Sequence, residues 1–181
     1  VTPPDWSFNP SAWRERRVVV AAALMGFAIA VYLTLYQLGV VRDIWDPVFG
    51  AASSAAVLHS PLSATLPVPD AALGAFGYLV ETITAVAGGE DRWWRHPWLV
   101  LTYGATVVAL GMASTTLVML QPLMARAWCA PCLLSAVISV NLIGPALAET
   151  LAALQHTRRA ASRGVPLLRA LGGAGNRERA A

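Results

Sequence analysis

The sequence predicts an all-α membrane protein: a four-transmembrane-helix bundle with a short outer-face half-helix between spans one and two. Three observations lead there. The 181 residues are 56% hydrophobic and only 13% charged, too little polar surface for a soluble domain of this size. The apolar residues gather into runs long enough to cross a bilayer, which takes about 20 residues. The basic residues are all arginine and gather in alternate connecting segments. The net charge of +3 is too small to point to nucleic acid. Two cysteines cannot form a disulfide framework.

Residues 1–17 are polar and turn-rich and end in Arg14-Glu15-Arg16-Arg17, which reads as a cytoplasmic N-tail. Val18 to Val41 form an apolar run with no clear cleavage site after it, expected to be a retained first span. The segment 42–69 is too apolar for an ordinary loop. Its small-residue patch from Ala51 to Leu58 predicts a short helix at the membrane surface. Asp46 is expected to cap that helix, with Pro47 opening it. Asp70 is expected to cap the second span, Ala71 to Val86, which Gly88-Gly89 ends. Residues 90–96 form a charged turn, and Pro97 opens a third span over Trp98 to Leu120. The fourth runs from about Cys129 to Leu154. The transmembrane domain is thus 18–154, and 155–181 form a basic tail, expected to be mobile and cytoplasmic.

Eleven of the thirteen arginines fall in the N-tail, the 90–96 turn and the C-tail; Arg42 and Arg126 are the other two. The positive-inside rule then puts both termini of this multi-pass plasma-membrane protein in the cytoplasm. The 42–69 segment and the start of the fourth span share the outer face.

That start carries Trp128-Cys129-Ala130-Pro131-Cys132, which holds both cysteines of the chain. Cysteines three apart share a helical face and can close a disulfide. The free N–H groups and dipole of a helix start favour a thiolate there. Pro131 is tolerated in a first turn. The plain alternative is two small apolar residues in a membrane helix. No second Cys-x-x-Cys or nearby histidine completes four ligands, so no metal is expected.

These residues resemble the vitamin K epoxide reductase family, a four-helix membrane bundle with such a motif opening its last core helix. Val57-Leu58-His59-Ser60 is similar to the family pattern that ends in a functional serine. Asp70, followed by Gly74 and Tyr78, falls where the family places a polar quinone contact. Trp45 to Gly50 and Leu66 to Ala71 resemble an actinobacterial branch. The resemblance covers about residues 14–155. It implies a membrane thiol–quinone oxidoreductase that supports disulfide formation. Electrons would pass from an extracytoplasmic thioredoxin-like protein or small thiol to Cys129, then to Cys132 and a membrane quinone such as menaquinone. Ser60 and Asp70 would hydrogen-bond the quinone carbonyls. His59 itself reads either as a proton relay to the reduced ring or as a simple exposed histidine.

Two departures stand out. Typical members carry a second cysteine pair in the outer loop; here Ser54 stands where one would fall. Animal members carry a tyrosine where this chain has Ala136. Either a donor thiol meets Cys129 directly, or the bundle is a catalytically degenerate module that binds a quinone or partner. Glu81, near mid-span, reads as a proton-handling group or a structural hydrogen-bonding one. Glu149 is expected to reach interfacial water. Trp93, Trp94, Trp98 and Trp128 are expected to be interfacial anchors, and Gly104 and Gly111 to permit close helix packing.

Overall fold

A computed structural model describes residues 2–64 and 67–173, and every regular element among them is helical. These are α1 (Trp13–Gln37), α2 (Ala51–Leu58), α3 (Pro61–Ala64), α4 (Asp70–Val86), α5 (Arg92–Arg95), α6 (Pro97–Met124), α7 (Ala130–Ser162) and α8 (Leu167–Leu171). Three of them, α1, α6 and α7, are long and apolar enough to cross a membrane. Helix α4 has 17 residues, about 25 Å at 1.5 Å per residue.

The four larger helices close into a ring. Helix α4 packs on α1 and α6, and α7 packs on α6 and α1. Their shared core holds Val19, Ala23, Tyr78, Tyr103, Val107 and Leu142. Small residues let the backbones approach. A Cβ on Gly111 would meet Ile143 at 2.7 Å, and one on Gly104 would strike Thr150. Gly26 leaves room on α1 for the ring of Tyr78, whose hydroxyl contacts Ser135 and Ser139 on α7.

The ends of the helices depart from the expected boundaries. Helix α6 runs through Gln121 and Pro122 to Met124. Helix α7 continues past residue 154 to Ser162, and α8 packs against it. Part of the expected tail is therefore helical, and residues 174–181 lie outside the described residues. Asp70 is the first residue of α4 and not its N-cap, which is Pro69; its carboxylate accepts from the first-turn N–H of Ala71. Trp93 is buried, not interfacial, with its ring edge-on to His156.

The turn after α4 holds the largest correction. Glu149 does not reach water. It is buried in a bidentate pair with Arg92, with N···O distances of 2.6 and 2.5 Å, and Ser11 donates to it as well. Arg92 and Arg16 also donate to the carbonyls that end α4. Arg16 reaches Ala85, Val86 and Gly88, and Arg92 reaches Thr84, Ala85 and Ala87. The last carbonyls of a helix lack intrahelical partners, and two guanidiniums supply them here.

Gly26→Ala should drive a methyl group into the Tyr78 ring, which its hydroxyl contacts hold in place. The expected cost is about 1–3 kcal/mol, read as a lower Tm of the detergent-solubilised protein. An unchanged Tm would mean that the ring yields freely.

Candidate functional site

Cys129 is the N-cap residue of α7, with extended backbone, and Ala130 and Pro131 open the helix. A disulfide joins Cys129 to Cys132 across a Cα–Cα distance of 5.2 Å. The Cys132 N–H points to the Cys129 sulfur at 3.3 Å. The Cys129 N–H donates to Gln121 Oε1 at 3.1 Å, so the unexpected last turn of α6 anchors the motif.

The segment before α2 closes over this helix start. Asp46 was expected to cap α2, yet the N-cap there is Gly50, which uses a positive φ of 83° that favours glycine. Asp46 instead turns its carboxylate two ways. Oδ1 accepts from the N–H groups of Val48 and Phe49 at 2.9 and 2.8 Å. Oδ2 accepts from the Ser54 hydroxyl at 2.6 Å and from the Ala130 N–H at 3.0 Å. Ser53 adds a second fastening, donating to the Trp128 carbonyl and accepting from its N–H. Under this clip Cys129 is 0% exposed, and Ser54 is fully buried too. Burial alone would raise the Asp46 pKa. The hydrogen bonds from Ser54, Phe49, Ala130 and Val48 outweigh it and hold the carboxyl down at about 2.

Cys132 has a different setting. It is half-buried and lines a cavity of about 100 Å³, together with Ser60, Asp70, Ser114, Gln121 and Ser135. The rest of the wall is mainly apolar, with Leu33, Val57, Leu58, Leu117 and Val118. Asp70 Oδ1 accepts from Gln37 Nε2, from the Ser63 hydroxyl at 2.9 Å and from the Ala71 N–H at 3.0 Å. The fold therefore brings Cys132, Ser60 and Asp70 to one cavity. It leaves His59 off the wall: that side chain is exposed, with its ring tilted against Tyr36 at 5.5 Å. Sequence reasoning passed over Gln37 and Gln121. The signal was there in both: a polar amide near the end of an otherwise apolar run.

Described residues that are helical in every regular element, with three membrane-length helices among them and a Cys-x-x-Cys disulfide beside a cavity between these, mark a multi-pass membrane protein. The model of the Vitamin K epoxide reductase family matches residues 17–146, most of the chain, and the chain belongs to that family. At the general level of the family, this is the chemistry of membrane thiol–quinone oxidoreductases, with a quinone as acceptor and thioredoxin-like thiol proteins as partners. No curated protein and no solved structure matches the chain.

The clip makes a pH-dependent prediction. The Asp46 pKa of about 2 lies below the ordinary aspartate value of about 3.9. Its contacts therefore stabilise the closed segment fully above about pH 4, and that contribution is lost as pH falls through about 2. Reduction of the disulfide by a water-soluble phosphine should speed up over that window, relative to the same reaction of Asp46→Asn. At neutral pH, Asp46→Asn and Ser53→Ala should each be reduced several-fold faster than the wild type, read by counting thiols. Equal rates would show that the clip does not limit access.

Proposed function

We propose that this protein passes electrons from an extracytoplasmic thiol donor, through the Cys129–Cys132 disulfide, to a membrane quinone of the menaquinone type. The carrying observation is that Cys132 shares one cavity with Ser60 and Asp70. In the forward reaction the donor dithiol reduces the pair. The pair then gives two electrons to the quinone as its S–S bond re-forms, and the quinone takes two protons to become a quinol. Cys132 is the sulfur that meets the ring, and Cys129 exchanges with the donor. Ser60 donates a hydrogen bond to one quinone carbonyl, and Asp70, ordered by Gln37 and Ser63, contacts the other.

In this reading α4 is the second of four spans, a short one whose last carbonyls are met by Arg16 and Arg92. Both termini face the cytoplasm, in keeping with the arginine distribution, and the disulfide lies at the outer face.

A second reading has its own support. The enclosure of Cys129 and the absence of any further cysteine suit a degenerate module that binds a quinone or a partner without turnover. Anaerobic mixing of the reduced protein with menaquinone, followed by thiol counting, separates the two. Turnover should consume two thiols per quinone, and Cys132→Ala should reduce the rate at least a hundredfold, about the scale for loss of a reacting group. A disulfide inert to both dithiol and quinol establishes the second reading, and unchanged turnover of Cys132→Ala rules out the first.

A further inference from the structure

Behind the cavity a row of hydroxyls leads away from the disulfide. Along α7, Cys132, Ser135, Ser139, Leu142, Ala146 and Glu149 recur at three- and four-residue steps and so lie along one face. Ser114 and Ser135 line the cavity. The Ser139 hydroxyl meets that of Ser114 at 3.3 Å and that of Tyr78 at 2.7 Å, and Tyr78 also contacts the Ser135 hydroxyl at 3.0 Å. Beyond Ser139 the α7 face turns apolar for about 15 Å before Glu149.

Helix α4 spans that gap. Tyr78 meets Ser139 at one side of it. At the other, Thr84 and Ala85 accept from Arg92, which is paired with Glu149. Glu81 stands between them, about one turn from each, on the same buried face of α4. It is 0% exposed, and neither carboxyl oxygen has a hydrogen-bond partner among the described residues. An unpartnered carboxyl in such a place costs stability, and an unpaired carboxylate costs far more. An apolar side chain would pack there without that cost. What the carboxylic acid adds is a proton it can give and take back.

The titratable groups that feel its charge are Tyr78 on α4 itself and Tyr103 on α6; Arg16 on α1, Arg92 on α5 and Glu149 on α7 lie beyond, in reach of Tyr103. Tyr103 feels the charges of Glu81, Glu149, Arg92 and Arg16 alike, and the Arg92 guanidinium lies 5.5 Å from its ring centre. A cavity of about 10 Å³ between Arg16, Arg92, Tyr103 and Glu149 has room for one water.

We propose that Glu81 is a proton-relay residue, taking protons from the end of the bundle that holds Arg92 and Glu149 and passing them through Tyr78 and Ser139 to the cavity beside Cys132. This rests on the thiol–quinone reading. The hydroxyls of Tyr78, Ser139, Ser135 and Ser114 each donate and accept, so each can hand on a proton by rotating. The sums balance. The donor thiols pass two electrons to the Cys129–Cys132 pair, whose two thiols release their protons at the outer face when the pair is oxidised again. The quinone takes those two electrons from the pair, as the disulfide re-forms, together with two protons from the opposite face. Each quinol formed thereby moves charge across the bundle. Glu81 touches neither sulfur nor ring, so its role is read in protons.

The test uses the full chain in sealed phospholipid vesicles that contain menaquinone and a trapped pH dye. Reduced glutathione, a thiol that does not cross the bilayer, is added outside, so only copies with the disulfide end outward turn over. The wild type should form quinol while the lumen loses one to two protons for each. Glu81→Gln should abolish that loss and slow quinol formation at least about tenfold, most severely at high lumenal pH. Its Tm and the reduction of its disulfide by glutathione should stay unchanged, and Glu81→Asp should restore part of both lost signals. Quinol formation by the wild type with no lumenal pH change overturns the relay alone, as does a Glu81→Gln variant equal to wild type. Failure of the wild type to form any quinol overturns the thiol–quinone reading, and the relay with it.

Discussion

The Asp46 carboxylate joins two parts of the chain that are far apart in sequence and must meet for the site to exist. The irregular segment before α2 carries backbone N–H groups at Val48 and Phe49, and the start of α7 carries another at Ala130. Such groups need partners when they leave water. One carboxylate serves all three and the Ser54 hydroxyl besides. The consequence falls on the two sulfurs. Cys129 is shut beneath the segment, while Cys132, one turn along, remains on the wall of the cavity. A single disulfide thus has one sulfur beneath the segment and the other on the cavity wall.

The far end of the bundle is held by a similar device with the charges reversed. Helix α4 is short, and its terminal carbonyls would be left unpaired among apolar helices. Arg16 and Arg92 supply the donors, and Glu149 balances Arg92. A buried ion pair of this kind adds little net stability over a well-packed apolar pair, while loss of one partner costs about 3–5 kcal/mol. Its value here is positional. With Asp70 tied to Gln37 at one end and the arginines at the other, α4 is fixed along its axis, and Tyr78 is set opposite Ser139.

What was legible in the sequence was what local chemistry dictates. The apolar runs, the glycines after α4, Pro97 at the start of α6 and Pro131 in the first turn of α7 each act through their immediate neighbours. The family-like residues Ser60, Asp70 and Cys132 also met in one cavity. His59 did not follow Ser60: its side chain is exposed and tilts against the Tyr36 ring. The larger misreadings are all tertiary. Asp46 obeys a local capping pattern, yet its partner on α7 lies 84 residues away. Glu149 and Arg92 are 57 residues apart; each alone looks like a charge bound for interfacial water, and only the packing of α5 on α7 brings them together. Helices α6 and α7 outrun their apolar cores where polar residues find partners elsewhere in the protein: Gln121 accepts from the Cys129 N–H, and Gln155 accepts from the Trp6 indole.

The position of Ser54 bears on how the site can be reached. In the family pattern it falls where a loop cysteine would stand, and a shuttling cysteine has to approach the helix pair and withdraw again. Ser54 is placed to do the opposite. It is buried, and its hydroxyl is spent on Asp46, which is itself bound to the first turn of α7. A hydroxyl cannot exchange with a disulfide, but it can hold a carboxylate in place. The segment therefore works as a cover over Cys129 and not as a carrier of electrons. On the proposed function, a donor thiol gains Cys129 only when Asp46 and Ser53 release the helix start together, since either fastening alone keeps the segment near Trp128 and Ala130. The slow step in thiol exchange then belongs to the opening of this cover, and the sulfur chemistry follows it.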